Sequence, residues 1–136
     1  MRTVFADTGY WIALLNPSDN LHSKSRAITQ ALYPLKIITT EMVFVECLNA
    51  FSAQNKWLKT SMIKLIQGSQ NNPSIEIISH NQELFLTAFK LYQNRLDQSW
   101  SLTNCASFCV MNKQNILDAL AYDKHFIQAG FNALLR

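Results

Sequence analysis

The stretch TVFAD, residues 3–7, is a short apolar run of residues that favour β-structure, and it ends on an aspartate. A run of this length and composition predicts a buried strand. Aspartate is a poor strand former, so Asp7 is expected at the C-terminal end of that strand, where the chain leaves the sheet. The first strand therefore brings a carboxylate to one edge of the predicted sheet.

Strands and helices alternate along the rest of the chain. Further strands are predicted at residues 36–40 (KIITT), 75–79 (IEIIS), 116–123 (ILDALAYD) and 132–136 (NALLR). Helices are predicted at residues 22–33, 41–51, 58–68, 81–95 and, capped by Ser101 or Thr103, to about residue 112. This alternation predicts an α/β fold with three α/β/α layers and a mainly parallel sheet of four to five strands.

Composition limits the class of protein further. The length of 136 residues and the hydrophobic content of 49% predict a single domain over residues 1–136. No apolar run approaches the roughly 20 residues that cross a bilayer, so no membrane partner is expected. The three cysteines are odd in number and lie within apolar runs, which favours buried packing and a cytoplasmic protein over a disulfide framework.

The charge of the chain is mildly basic, with a net charge of +3. No acidic residue lies between Glu46 and Glu76, whereas Lys56, Lys59 and Lys64 fall in that interval on a predicted helix. Such a face suits contact with a phosphate backbone, and equally suits a solvated helix surface. These lysines are the candidate RNA-binding residues, and the second reading stays open.

Acidic residues in unusual places are the candidates for chemistry. Asp7 and Asp123 each follow a predicted strand, and either alone is also explained as a turn residue. Together, at neighbouring strand ends, their carboxylates would repel each other unless a cation lies between them. Glu46 lies within the apolar segment MVFVECL, where burial of an unpaired carboxylate is costly, unless it reaches water at the rim of its helix.

Oxygen donors without histidine or cysteine suit Mg²⁺ or Mn²⁺, and such ions commonly serve phosphodiester hydrolysis. Other phosphate chemistries fit less well. The chain contains neither GxxxxGK[ST] nor GxGxxG. The second aspartate that phosphoaspartyl hydrolases place after the first strand is missing from Asp7-Thr8-Gly9-Tyr10.

Four blocks of sequence together resemble the PIN-domain family, in particular the VapC-type toxin ribonucleases of toxin–antitoxin pairs. The blocks span nearly the whole chain and are VFADTGYWIALLNPSDNLH (4–22), TTEMVFVECLNAF (39–51), DQSWSLTNCASFCVM (97–111) and DALAYDKHFIQAGFNALL (118–135). The resemblance implies a PIN-like fold and endonucleolytic cleavage of RNA that depends on Mg²⁺ or Mn²⁺. It also implies a cognate antitoxin protein and a homodimer.

Carried over block by block, the resemblance implies four metal-binding and catalytic positions, namely Asp7, Glu46, Asn104 and Asp123, with Thr8, Asp97 and Ser101 in support. The family usually has aspartate after the Leu-Thr pair, whereas this chain reads LTNC. The carbonyl oxygen of Asn104 can still ligate a cation, but the site loses one negative charge. The sequence therefore predicts a nuclease whose metal binding and activity are attenuated.

Two other functions stay open at this point. One is a catalytically silent PIN-like module that binds RNA or a protein through the same cleft. The other is a metal-dependent phosphatase for small substrates. Cleavage of RNA that depends on a divalent cation separates the nuclease from both.

Overall fold

A computed structural model describes all 136 residues and shows five strands and seven helices. The strands are β1 (Arg2–Ala6), β2 (Leu35–Thr40), β3 (Ile75–Ile78), β4 (Asp118–Leu120) and β5 (Asn132–Ala133). The helices are α1 (Thr8–Leu15), α2 (His22–Leu32), α3 (Glu41–Phe51), α4 (Lys56–Gln70), α5 (Gln82–Asn94), α6 (Leu102–Lys113) and α7 (Lys124–Gln128).

All strands run parallel in a single sheet of order β3-β2-β1-β4-β5. Helices cover the sheet, which gives the three-layer α/β/α architecture, and the predicted fold class is confirmed. The central strand β1 is buried at Val4, Phe5 and Ala6, as a strand covered on both faces requires. Because β1 lies between β2 and β4, the residues that follow these three strands meet at one edge of the sheet.

Several element boundaries differ from those predicted. The helix α1 was not predicted, because Thr8–Leu15 is apolar on nearly every side and shows no amphipathic period. The strand β4 is shorter than predicted, since the N–H of Ile116 bonds back to the carbonyl of Met111 in α6. Asp7 is not in β1 but directly after it, at the N-cap position of α1.

An aromatic cluster fixes α6 and α7 against β1. The ring of Phe108 in α6 meets that of Phe126 in α7 edge to face, with centroids 5.0 Å apart, and Phe126 also contacts Phe5. Trp100, just before α6, packs edge-on against Phe108 at 5.0 Å. These rings set where α6 and α7 begin relative to the end of β1.

All three cysteines are free, with Cys47 and Cys105 buried and Cys109 half-buried, so the expected packing role is consistent with their positions. None of the seven helices combines the length and the apolar character that crossing a bilayer demands.

Candidate functional site

A cavity of about 370 Å³ lies at the carboxyl edge of the sheet. Side chains from five segments line it, and most of them are polar: Asp7, Thr8, Gly9, Leu21, Glu46, Ser101, Asn104, Tyr122 and Asp123. The structure thus brings together the four principal positions predicted from the sequence, and two of the three supporting ones.

Asp7 is the most deeply buried acid of the cavity, with 7% of its surface exposed. Its N–H donates to the carbonyl of Leu120 at 3.2 Å, which ties the end of β1 to β4. Burial raises the pKa of Asp7 to about 7, and the nearby carboxylates of Glu46 and Asp123 add to the rise. A hydrogen bond from the backbone amide of Thr8 is the only contribution that lowers this pKa. A bound cation would relieve both causes of the elevated pKa.

Glu46 reaches the cavity from α3, and its carboxylate is held by Thr8. The hydroxyl of Thr8 donates to Oε1 of Glu46 at 2.6 Å. Behind this pair lies the buried thiol of Cys47, which contacts the carbonyl of Thr8 at 3.9 Å. Burial raises the pKa of the Cys47 thiol, so it stays protonated. Glu46 is half-buried, lines the cavity and is hydrogen-bonded to Thr8.

Asp123 follows β4 and caps α7. Its Oδ1 accepts a hydrogen bond from the N–H of His125 at 2.9 Å, while Nε2 of His125 lies 3.8 Å from the same oxygen. No protein group donates to Oδ2 of Asp123. One carboxylate oxygen therefore serves the helix, and the other is left for the cavity.

Asn104 lies in the first turn of α6, and its side chain takes part in the cap of that helix. Its Oδ1 accepts from the N–H of Ser101 at 3.0 Å, and the hydroxyl of Ser101 accepts from the N–H of Asn104 at 3.0 Å. This reciprocal pair is a capping box. The prediction that Ser101 or Thr103 caps α6 is confirmed for Ser101, and the side chain of Asn104 takes part in the cap as well.

Asp97 does not line the cavity, although it was a predicted supporting residue. Its carboxylate accepts two hydrogen bonds from the guanidinium of Arg95, at 3.0 and 3.1 Å. Bonding to Arg95 lowers the pKa of Asp97. Arg95 in turn lies over the ring of Trp100, 4.8 Å from its centroid. The proximity expected from its place in the RLDQSW loop is not found, because Arg95 holds the side chain elsewhere.

The three candidate RNA-binding lysines lie on α4, away from the cavity lining. Lys56, Lys59 and Lys64 are exposed, and none of them forms an ion pair. The ring of Trp57 beside them is 60% exposed. This face of α4 is therefore accessible to a polyanion.

Three lining residues were not predicted from the sequence: Tyr122, Leu21 and Gly9, which directly follows Thr8. Tyr122 precedes Asp123, is 49% exposed, and is covered on one face by the guanidinium of Arg136 at 4.7 Å. An exposed aromatic ring next to a strand-end acid was the available signal for it. Leu21 carried no such signal, since it reaches the cavity only through the turn between α1 and α2.

The donors of the cavity fit a hard divalent cation in their chemistry. Three carboxylates, with a hydroxyl nearby and no histidine or thiol among the lining groups, are what Mg²⁺ and Mn²⁺ select. In this structure the three carboxylates lie too far apart for all of them to ligate one ion. An ion would have to draw Asp7, Glu46 and Asp123 inward.

The fold and the acid-lined cavity define a PIN-like α/β/α domain, as the sequence resemblance implies, and comparisons with known proteins agree. The chain is similar to the 23S rRNA-specific endonuclease VapC20 of Mycobacterium tuberculosis, strains H37Rv and CDC 1551. The identity is 25% over 131 residues, covering 94% of this chain and 95% of the relative.

The crystal structure of M. tuberculosis VapC20, described as a sarcin–ricin loop cleaving toxin, superposes with a TM-score of 0.83 at 22% identity. The match covers 94% of this chain and 95% of that one. No protein-family model matches the sequence. The sequence and structure matches to VapC20 confirm the resemblance to PIN-domain toxin ribonucleases. They do so through a shared fold and through a distant relative that aligns over nearly the whole chain.

Proposed function

We propose that this protein is a metal-dependent endoribonuclease that hydrolyses phosphodiester bonds. The observation that carries the proposal is the meeting of Asp7, Glu46 and Asp123 in one cavity at the carboxyl edge of the sheet. The elevated pKa of Asp7 supports it, because a bound cation would offset both the burial of this carboxylate and the repulsion by Glu46 and Asp123. The likeness to a ribosomal RNA endonuclease adds the substrate class.

In this proposal, Asp7, Glu46 and Asp123 hold Mg²⁺ or Mn²⁺. The ion supplies water activation and stabilisation of the charge that develops on the phosphate. Thr8 orients the Glu46 carboxylate through its 2.6 Å hydrogen bond, and the helix cap fixes one oxygen of Asp123. The exposed lysines of α4 contact phosphates further along the RNA. Unchanged RNA affinity after replacement of Lys56, Lys59 and Lys64 by glutamine would contradict that contact.

The partners follow from the same likeness. We propose a cognate antitoxin protein, since the similar M. tuberculosis protein is described as a toxin and an acid-lined cavity suits a cationic side chain from a partner. An antitoxin that leaves RNA cleavage unaffected at saturation would contradict this.

We also propose a homodimer, which the surface of α5 supports. Four apolar side chains of this helix are between 40% and 53% exposed: Phe85, Leu86, Phe89 and Tyr92. The rings of Phe85 and Phe89 stack on each other with centroids 5.9 Å apart. A contiguous apolar face of this kind is typical of an interface. A purely monomeric species in sedimentation equilibrium would contradict the homodimer.

The test is cleavage of RNA by the purified protein with Mg²⁺ or Mn²⁺, with EDTA, and with Asp7→Ala. Ribosomal RNA is the first substrate, because the similar endonuclease is specific for 23S rRNA. We expect cleavage only with the metal and only when Asp7 is present. Glu76→Gln is the matched control, since this exposed acid pairs with Lys36 on the opposite part of the sheet. Cleavage that persists in EDTA or in Asp7→Ala would refute the proposal.

One observation favours a second candidate, the silent module. The position that would complete the acidic set is an amide, Asn104, and its oxygen already serves the helix cap. Binding of RNA without cleavage at any concentration of Mn²⁺ would identify this alternative. Turnover of a chromogenic phosphomonoester together with indifference to RNA would instead identify a phosphatase.

A further inference from the structure

The orientation of the Asn104 amide follows from its hydrogen bond to the backbone. The N–H of Ser101 is a donor, so the atom 3.0 Å from it must be the carbonyl oxygen of Asn104 and not the nitrogen. The capping box therefore fixes the orientation of the Asn104 side-chain amide. The carbonyl oxygen is directed at the helix cap.

The nitrogen at the other end of the amide has no protein partner. Asn104 is only 8% exposed and lines the cavity, yet no oxygen of the chain accepts a hydrogen bond from Nδ2. Among the acids of the cavity, Glu46 accepts from Thr8 through Oε1 and Asp123 accepts from His125 through Oδ1, and neither accepts from Nδ2. The nitrogen is not among the fully buried unpaired polar atoms of the chain, so it is accessible in the cavity and can donate to a ligand that accepts hydrogen bonds.

We propose that Asn104 binds an anionic oxygen of the substrate as a hydrogen-bond donor, and does not ligate the cation. The inference rests on the proposed function, because it takes that oxygen to be a non-bridging oxygen of the RNA phosphate. Phosphate entering a cavity lined by three carboxylates meets repulsion, and the amide offers it a neutral donor at the point where a fourth carboxylate would add to that repulsion. Asn104 thus makes a substrate-binding contact while Asp7, Glu46 and Asp123 keep the cation.

Two variants separate the amide nitrogen from the amide oxygen. Asn104→Ala removes both, and Asn104→Asp keeps the oxygen that caps α6 while replacing the nitrogen by a charged oxygen in the cavity. The matched controls are Asn81→Ala and Asn81→Asp. Asn81 caps α5 by accepting from the N–H of Leu84 at 2.9 Å and lies outside the acidic cavity. Each control therefore changes an asparagine that takes part in a helix cap without touching the site.

The measurements are the affinity for Mn²⁺ by calorimetry, and the affinity for a short fluorescein-labelled single-stranded RNA with Ca²⁺ in place of Mg²⁺. In Asn104→Ala we expect unchanged Mn²⁺ affinity and RNA binding weakened about ten-fold, the loss expected for one hydrogen bond to a charged group. In Asn104→Asp we expect Mn²⁺ to bind at least about ten-fold more tightly. The Asn81 controls should match the unaltered protein in both measurements.

Three results would overturn the inference. Weaker Mn²⁺ binding by Asn104→Ala would show that the carbonyl oxygen is a ligand. Unchanged RNA affinity in that variant would remove the donor role, and unchanged Mn²⁺ affinity in Asn104→Asp would show that the nitrogen does not face the cavity. Should Asn104→Ala lose its fold by circular dichroism, Asn104→Asp still decides the orientation. If the expected binding results hold while the unaltered protein cleaves no RNA, the ribonuclease proposal fails and the assignment of Asn104 stands.

Discussion

The ends of β1 and β4 present the same pattern, an apolar strand followed by an aspartate at the N-cap of a helix, but the two aspartates have opposite surroundings. Asp7 is buried, makes no side-chain cap, and has its pKa raised to about 7. Asp123 is half-buried and caps α7 through Oδ1. One acid therefore costs the apo protein stability and the other contributes to it, although their strands are hydrogen-bonded neighbours.

The largest expected difference concerns the pH dependence of stability. The folded protein holds a proton on Asp7 up to about pH 7, whereas the unfolded chain releases it near 3.8. Between these values the native state binds more protons, so stability falls as the pH rises through that window. The loss is on the order of 2 to 4 kcal/mol. Asp7→Asn should remove it, and should raise the free energy of unfolding at pH 8 in EDTA.

Urea unfolding of Asp7→Asn and of the unaltered protein at pH 4 and pH 8 measures this effect. The two proteins should differ little at pH 4 and most at pH 8. Glu76→Gln, at an exposed acid paired with Lys36, controls for the removal of one charge. A difference between Asp7→Asn and the unaltered protein that is the same at both pH values would mean that Asp7 ionises normally. Mn²⁺ should stabilise only the protein that retains Asp7.

The pairing of Asp7 with Asp123 was predictable because it rests on chain order alone. Parallel strands bring their carboxyl ends to one edge, so a residue that follows each strand is placed without knowledge of packing. The start of α3 at Glu41 was also predicted, and there the hydroxyl of Thr40 accepts from the N–H of Val43. In both cases the order of residues along the chain allows only one placement.

The different roles of the two acids, and the orientation of Asn104, were not predictable in the same way. Burial of Asp7 depends on α1, which has no amphipathic period and was missed. The capping box of α6 has asparagine at N3, where glutamate or glutamine is usual, so the sequence assigned the cap to Ser101 or Thr103 and not to Asn104. Likewise, the Asp97 carboxylate bonds to Arg95, two residues earlier, and not to the cavity. Sequence spacing alone does not predict which of these partners Asp97 takes.

The next expected effect concerns Thr8, which carries a hydroxyl directly after Asp7. Thr8→Val keeps the shape of the side chain but removes the donor to Oε1 of Glu46. Glu46 would then lose its fixed orientation, and we expect cleavage in Mn²⁺ to fall about ten-fold, as for the loss of an outer-shell partner. Thr8→Ser retains the hydroxyl and is the matched control. Equal activities of Thr8→Val and Thr8→Ser would mean that the hydrogen bond does not position Glu46.

The smallest expected effect concerns Asp123 and its cap, and it tests whether the strand-end acids really differ. Asp123→Ala removes the acceptor for the N–H of His125 and should lower the free energy of unfolding by about 1 kcal/mol in EDTA at pH 7. Asp123→Asn keeps an oxygen in that place and should lower it by much less. For Asp7, the neutral amide is expected to stabilise the fold, because that carboxylate has burial to overcome and no cap to supply. If Asp123→Asn stabilised the protein as much as Asp7→Asn does, both carboxylates would destabilise the fold in the same way. The contrast between a destabilising buried acid and a stabilising helix cap would then be wrong.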